Sequence, residues 1–259
     1  MRKPIKAIVL TCDRYRVFTD HMILRYETLW PNHPFVFHIP YQELPPSMES
    51  DRVRYIHSPG DIRGTVRSLL QGLDEDEMVY WCIDDKYPMD LDTEKIGQLH
   101  DELLSDGLPD IDGLLFCRCR GMWKKKNLTG RRLTDAEGNL FLERNNYSQI
   151  WIHQYLRVKV IRHLFDSFPE RITRAKEMDQ LIGKSKKPGH HRIFITDENF
   201  GMFGESVTRG KITSNCMQSL RAYQLQPPVW TATATPRRIT MGHEGMLRRW
   251  VSRLCGYFT

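Results

Sequence analysis

The chain reads as an α/β protein built on a mostly parallel central sheet flanked by helices. Two observations predict this: short apolar runs alternate with helical spacing through the first hundred residues, and one run, Val79-Tyr80-Trp81-Cys82-Ile83, ends abruptly in Asp84-Asp85. A strand with no polar alternation is one buried on both faces, as in parallel sheets covered by helices. Two acids at its C-terminal tip stand where open α/β sheets bind ligands, in the crevice beyond the strand ends.

The elements follow in order. Ile5 to Leu10 is a strand entering the loop Thr11-Cys12-Asp13-Arg14-Tyr15-Arg16, and Phe18 to Trp30 carries Met22, Ile23, Tyr26 and Trp30 at helical spacing until Pro31 and Pro34 stop it. Phe35 to Ile39 is a second strand and Arg52 to Ile56 a third. Asp61 or Thr65 caps the next helix, whose apolar face uses Val66, Leu69, Leu70 and Leu73. After the acidic turn 74–77 and the strand ending in Asp84-Asp85, Thr93 to Leu104 is a helix and Gly113 to Cys117 a strand. Arg131–Thr134 and Leu140–Glu143, joined by the glycine-containing loop 135–139, form a β-hairpin insertion. Helical spacing returns from Trp151 to Phe168 and from Thr213 to Gln224, and Lys184 to His191 reads as a mobile loop.

Composition is that of a soluble globule: 259 residues, 40% hydrophobic and 27% charged. No stretch is long enough to cross a bilayer, and only Ala7 to Leu10 is apolar behind the charged N-terminus, so no signal peptide is read there. The six cysteines (12, 82, 117, 119, 216 and 255) are scattered, which suits reduced packing residues and a cytoplasmic location. A net charge of +6 favours anionic partners without concentrating in one tail. Neither glycine fingerprint of dinucleotide or P-loop enzymes follows the first strand. His190-His191 and Cys117/Cys119 lack zinc-module spacing, and Asn127-Leu128-Thr129 is a formal glycosylation sequon only.

In this order of elements the chain resembles a GT-A-type glycosyltransferase of the bacterial kind. The residues that carry the likeness are the loop Thr11-Cys12-Asp13-Arg14 after the first strand and Ile83-Asp84-Asp85 after the apolar strand. Further on come Ser148-Gln149-Ile150-Trp151 before a helix, Glu177-Met178-Asp179, and Val207-Thr208-Arg209-Gly210-Lys211 before another helix. The likeness spans about residue 5 to 226, so residues 1–226 are expected to form the transferase domain and 227–259 a linker and short C-terminal helix packing on it.

The resemblance implies a nucleoside diphosphate sugar as donor, a hydroxyl acceptor on a glycan, lipid-linked or small molecule, and a divalent cation, Mn2+ or Mg2+, at the diphosphate. It implies Thr11, Cys12, Asp13, Arg14, Ile83 and Asp84 at the donor, Asp85 as metal ligand, and Arg63, Lys86 and Lys211 toward its phosphates or base. Glu177 and Asp179 are the expected acceptor-side bases. The chain departs from the family's usual aspartate–any–aspartate pattern: Asp84-Asp85-Lys86 places a lysine where the second acid stands, which puts the cation in question. Two other readings follow from the same residues: a catalytically silent GT-A-like module that binds sugar or protein, and a nucleic-acid-binding protein. The second is disfavoured because aromatics are not interleaved with the basic runs. Lys124-Lys125-Lys126 with Arg131-Arg132 reads as a solvated face able to receive an anionic acceptor. Met246 to Leu254 is basic and amphipathic, suited to packing on the domain or to peripheral contact with an anionic membrane.

Overall fold

A computed structural model of the chain describes residues 2–44, 46–47, 50–105, 107–108, 110–117, 127–182, 185, 187–208, 210–231, 234–235 and 240–241. The chain opens with β1 (Ile5–Leu10), a 3-10 turn at Asp13–Tyr15 and α1 (Arg16–Leu29). Next come β2 (Phe35–Tyr41), β3 (Val53–His57), α2 (Ile62–Leu69), β4 (Met78–Ile83), β5 (Lys86–Leu91) and α3 (Thr93–Leu104). The second half holds β6 (Gly113–Leu115), the hairpin β7 (Leu128–Thr134) and β8 (Leu140–Arg144), β9 (Gln154–Arg157), α4 (Val158–Ser167), α5 (Ala175–Ile182) and β10 (Ile193–Thr196). It continues through β11 (Gly201–Glu205), β12 (Val207–Thr208), β13 (Lys211–Thr213) and α6 (Ser214–Ala222) to the short strands β14 (Ala234–Thr235) and β15 (Thr240–Met241).

Among the described residues the large sheet runs β3-β2-β1-β4-β9-β6-β10-β8-β7. Strands β3, β2, β1 and β4 are parallel, as are β6 and β10, while β9 is antiparallel to both its neighbours. The apolar run that ends in Asp84 is explained by its place. Met78, Tyr80 and Cys82 enter one core, with Ala7 and Val9 of β1. Val79, Trp81 and Ile83 enter the other, with Ile8 and Leu10. The first core is covered by α1, α3 and α6 through Phe18, Met22, Tyr26, Ile96, Leu99 and Leu220, the second by α2, α4 and α5 through Val66, Leu69, Ile161, Leu164 and Met178. The molecule is a three-layer sandwich, and each fully buried aromatic or aliphatic side chain adds about 1.5–3 kcal/mol of transfer free energy. The Trp81 indole also donates to the Ile150 carbonyl at 2.8 Å, so its one polar atom is satisfied in the core.

Local sequence sets the helix starts. Asp61 caps α2 by accepting from the Gly64 amide at 2.8 Å, Asp92 caps α3 through Lys95 N, and Thr213 caps α6 through Cys216 N. Of the two caps expected for α2, Asp61 is therefore the one used. Thr65 is buried and donates to the Pro59 carbonyl instead.

The structure corrects the sequence reading at one helix and adds pairings the sequence did not show. Trp151 to Phe168 is not one helix: Gln154–Arg157 is the strand β9, inserted between β4 and β6, and only Val158–Ser167 is helical. Consequently Ser148–Trp151 leads into a strand rather than a helix. Lys86–Leu91 continues as β5, which pairs antiparallel with β11 in a second sheet that β15 extends. Beyond Pro227, β14 pairs with β13 and Trp230 packs against the first core. Lys124–Lys126 and Met246–Leu254 lie outside the described residues. Among the described residues no helix is long and apolar enough to cross a membrane.

Candidate functional site

Parallel pairing of β1 with β4, Leu10 opposite Ile83, brings the C-terminal ends of both strands side by side, where open α/β sheets bind ligands. The Asp84 amide donates to the Leu10 carbonyl at 3.3 Å, which fixes the acidic turn against the Thr11 loop. Asp84 is buried. Burial first, then the neighbouring Asp85 charge, pushes its carboxyl up to about 8, against the Thr11 hydroxyl and the Lys86 ammonium. Burial and the Asp84 charge likewise raise the Cys12 thiol, and burial with Asp84 and Asp85 raises the Tyr15 phenol.

The β5–β11 ladder places Lys86 directly opposite Glu205. The Lys86 side chain is only 8% exposed, its Nζ 2.7 Å from Asp85 Oδ1 and 3.8 Å from Glu205 Oε1. Burial disfavours the Lys86 charge, but Asp85 and Glu205 outweigh it and raise the ammonium pKa. Glu205 is itself raised, by burial first, with Lys86 opposing. The Ser206 amide donates to the Asp85 carbonyl at 2.7 Å and the Thr213 amide to the Ser206 carbonyl at 2.9 Å, so the β12–β13 hairpin is hung from the acidic turn.

A buried polar chain supports the turn from beneath. His153 is fully buried and, pushed down to about 3 by burial, is neutral. Its Nε2 lies 3.0 Å from the Ile83 carbonyl, which can only accept, so Nε2 carries the proton. Its Nδ1 therefore accepts from Tyr26 Oη at 2.7 Å, and Tyr26 accepts from Tyr80 Oη at 2.8 Å. Every member is satisfied, and the last carbonyl of β4 is held in one place.

The loop after β1 is organised differently. Asp13 accepts from the Glu43 amide at 2.6 Å, the Leu44 amide at 2.8 Å and the Gln42 amide at 3.2 Å, and pairs with Arg16 at 3.3 Å. Burial opposes its charge, yet these amides hold its carboxyl below the usual carboxylate range. Arg14 is exposed, its guanidinium 4.3 Å above the Trp230 ring, while Trp230 donates to the Arg14 carbonyl at 3.3 Å and stacks tilted on Tyr15 at 5.0 Å.

Of the residues expected from sequence, Thr11, Cys12, Asp84, Asp85 and Lys86 converge. Ile83 contributes its carbonyl to the buried chain and its side chain to the second core. Asp13 clamps two loops together. Arg63 donates to the Phe168 and Pro169 carbonyls, both at 2.9 Å, and so ties α2 to the end of α4 rather than reaching into the crevice. Lys211 is exposed on β13, two residues before the α6 cap. Glu177 and Asp179 sit on α5, whose Met178 and Ile182 enter the second core. No hydrogen bond or ion pair among the described residues links either acid to the Asp84–Lys86 turn. Tyr15, His153, Glu205 and Trp230 are at the site without having been singled out from sequence. Only Tyr15 had a local signal, its place in the loop after the first strand.

The donor set is poor for a divalent cation: Oδ1 of Asp85 is bonded to an ammonium, and Lys86 stands in the second-acid position.

No family model and no curated protein sequence matches the chain. Solved structures do. The galactosyltransferase LgtC in complex with donor and acceptor sugar analogs is 12% identical over 95% of this chain and 89% of its own, with a TM-score of 0.39. The 4-diphosphocytidyl-2C-methyl-D-erythritol synthase of Anaerococcus prevotii is 10% identical over 86% of this chain and 96% of its own, with a TM-score of 0.40. S. aureus TarS 1-349 is 14% identical over 76% of this chain and 59% of its own, with a TM-score of 0.42. At these values the likenesses carry no activity across, and the class rests on the chain's own topology. A mostly parallel sheet ordered β3-β2-β1-β4, an acidic turn after β4 and an antiparallel strand beside it make this a GT-A-like α/β fold.

Proposed function

We propose that the chain is a glycosyltransferase, of hexosyltransferase type, that moves a sugar from a nucleoside diphosphate donor to an acceptor hydroxyl. The observation that supports this reading best is the meeting of the β1 loop with the Asp84–Lys86 turn, in one crevice at the strand ends of a GT-A-like sheet. The nucleoside lies against Thr11, Cys12 and Tyr15, and Asp84, kept protonated by its burial, donates to a donor hydroxyl. Arg14 and Lys211, both exposed, face the phosphates from the rim.

In a direct displacement the acceptor oxygen attacks the anomeric carbon, the bond from that carbon to the phosphate oxygen breaks, and its electron pair leaves with the diphosphate. The acceptor proton passes to a carboxylate. Glu177 and Asp179 are the candidates for this role, because Glu205 is paired with Lys86 on the diphosphate side. The test is a panel of UDP, GDP, dTDP and CMP sugars, read by thermal shift and by donor turnover. One donor raising the melting temperature and being consumed in the presence of a hydroxyl acceptor is the expected result. Binding without turnover for every acceptor class would favour a silent sugar-binding module, for which Lys86 in the acidic motif speaks.

A further inference from the structure

The positive charge that a departing diphosphate needs is built into the chain itself. Lys86 begins β5 with its backbone paired to Glu205 and its side chain 8% exposed, so the ammonium is delivered by a strand and walled in by the fold. An ammonium has three N–H donors. One is used on Asp85 at 2.7 Å, and Glu205 at 3.8 Å is in ion-pair range but beyond a hydrogen bond. Among the described residues two of its donors remain unbonded on this nearly buried cation, and phosphate oxygens can complete them.

The same geometry opposes a metal. A hard dication seeks carboxylate oxygens that are free, and here the half-buried Asp85 is engaged by the lysine that replaces the second acid. A dication seated on Asp85 would face a like-charged ammonium that lies 2.7 Å from the same carboxylate and is 8% exposed.

We propose that Lys86 takes the place of the divalent cation, so that this site binds and releases the donor diphosphate without metal, Asp85 and Glu205 serving to hold the ammonium on its phosphate oxygens. The inference rests on the transferase reading. As the sugar–oxygen bond breaks, the electron pair stays on the terminal phosphate oxygen, and Lys86 stabilises it by hydrogen bonding while keeping its own proton. No co-reactant is required.

The experiment is isothermal titration of the intact chain with UDP, GDP, dTDP and CDP, each in excess EDTA and again in excess Mn2+. One nucleotide binding equally in both, with dissociation constants within about twofold, is the expected result. Lys86→Met should weaken that nucleotide about tenfold or more, and Lys86→Arg, which keeps the charge, should recover most of the loss. Binding that appears only with Mn2+, or tightens about tenfold with it, overturns the inference and leaves the transferase reading standing. Binding of no nucleotide under either condition overturns the transferase reading and this inference with it. The wild-type comparison decides the question even if the Lys86→Met chain fails to fold.

Discussion

Asp13 follows β1 and Asp85 follows β4, side by side in the sheet, yet the two carboxylates are satisfied in different ways. Asp13 accepts from three backbone amides and an arginine, using its oxygens to lock the β1 loop onto residues 42–44. Asp85 holds a single described partner, the Lys86 ammonium, and its side chain is 29% exposed. The two arginines expected at the donor divide in the same manner. Arg63 donates to two carbonyls at the end of α4, whereas Arg14 lies exposed on the Trp230 ring. Place at a strand end is shared by both acids; unspent hydrogen-bonding capacity is what separates a binding group from a clamp.

The largest expected effect falls on the unspent side. Lys86→Met should lower sugar transfer about 100-fold, about 3 kcal/mol of lost transition-state stabilisation. Its stability should change by under about 1 kcal/mol, because Asp85 and Glu205 keep access to water. Parallel kinetics and urea unfolding check both halves; a stability loss without a kinetic one would make Lys86 a structural residue.

Asp13→Asn should behave the opposite way. Losing charge-assisted bonds to the 42–44 amides should cost about 2 kcal/mol in urea unfolding, with turnover per folded molecule changed by less than about tenfold. An unchanged denaturation midpoint would dissolve the contrast.

The third effect is a slope. Asp84 has a carboxyl raised from 3.8 to about 8 in the folded chain, so the native state keeps a proton that the unfolded state gives up. Its stabilising influence is full below about pH 4 and drains away as pH rises to about 8. Between those limits wild-type unfolding free energy should decline relative to Asp84→Asn, which has no proton to lose. Parallel curves for the two chains would show that Asp84 is ionised in the native state.

The smallest effects compare the arginines. Arg63→Ala should cost about 1 kcal/mol of stability with donor affinity intact, and Arg14→Ala should weaken donor binding a few-fold with stability intact. Identical behaviour of the two would mean that guanidinium occupancy in the fold does not predict role.

The first half of the fold was legible because β1 and β4 are unbroken apolar runs, α1 spans 14 residues up to a pair of prolines, and Asp61 caps α2. The helix over Thr93–Leu104 was readable to the residue, and the α2 cap to one of two residues. The 151–168 stretch misled because β9 is buried on both faces: Tyr155 and Leu156 point to opposite cores, so no period-two alternation survives to mark a strand ahead of α4. Strand β5 was hidden by Pro88, which argues locally against a strand and is tolerated because β5 is the edge strand of its sheet among the described residues, beside an irregular register. Of the site, the Asp84–Lys86 turn was visible as an apolar run ending in charge. Glu205 was not, because its meaning comes from pairing across a ladder with Lys86, far away in the sequence. Trp230 was hidden for a similar reason, since it meets Arg14 only once the chain has closed on itself.

The pairing of Lys86 with Glu205 has a consequence for how this crevice tolerates change. Side chains on paired strands alternate faces, so inserting or deleting one residue between Lys86 and the Pro88 and Met89 carbonyls that Arg25 binds would turn the ammonium away from the crevice without altering a single functional side chain. Point substitutions around the site adjust its chemistry by degrees, whereas a one-codon length change in β5 or β11 erases it. The spacing of these two strands is therefore as much a part of the active centre as the charges they carry.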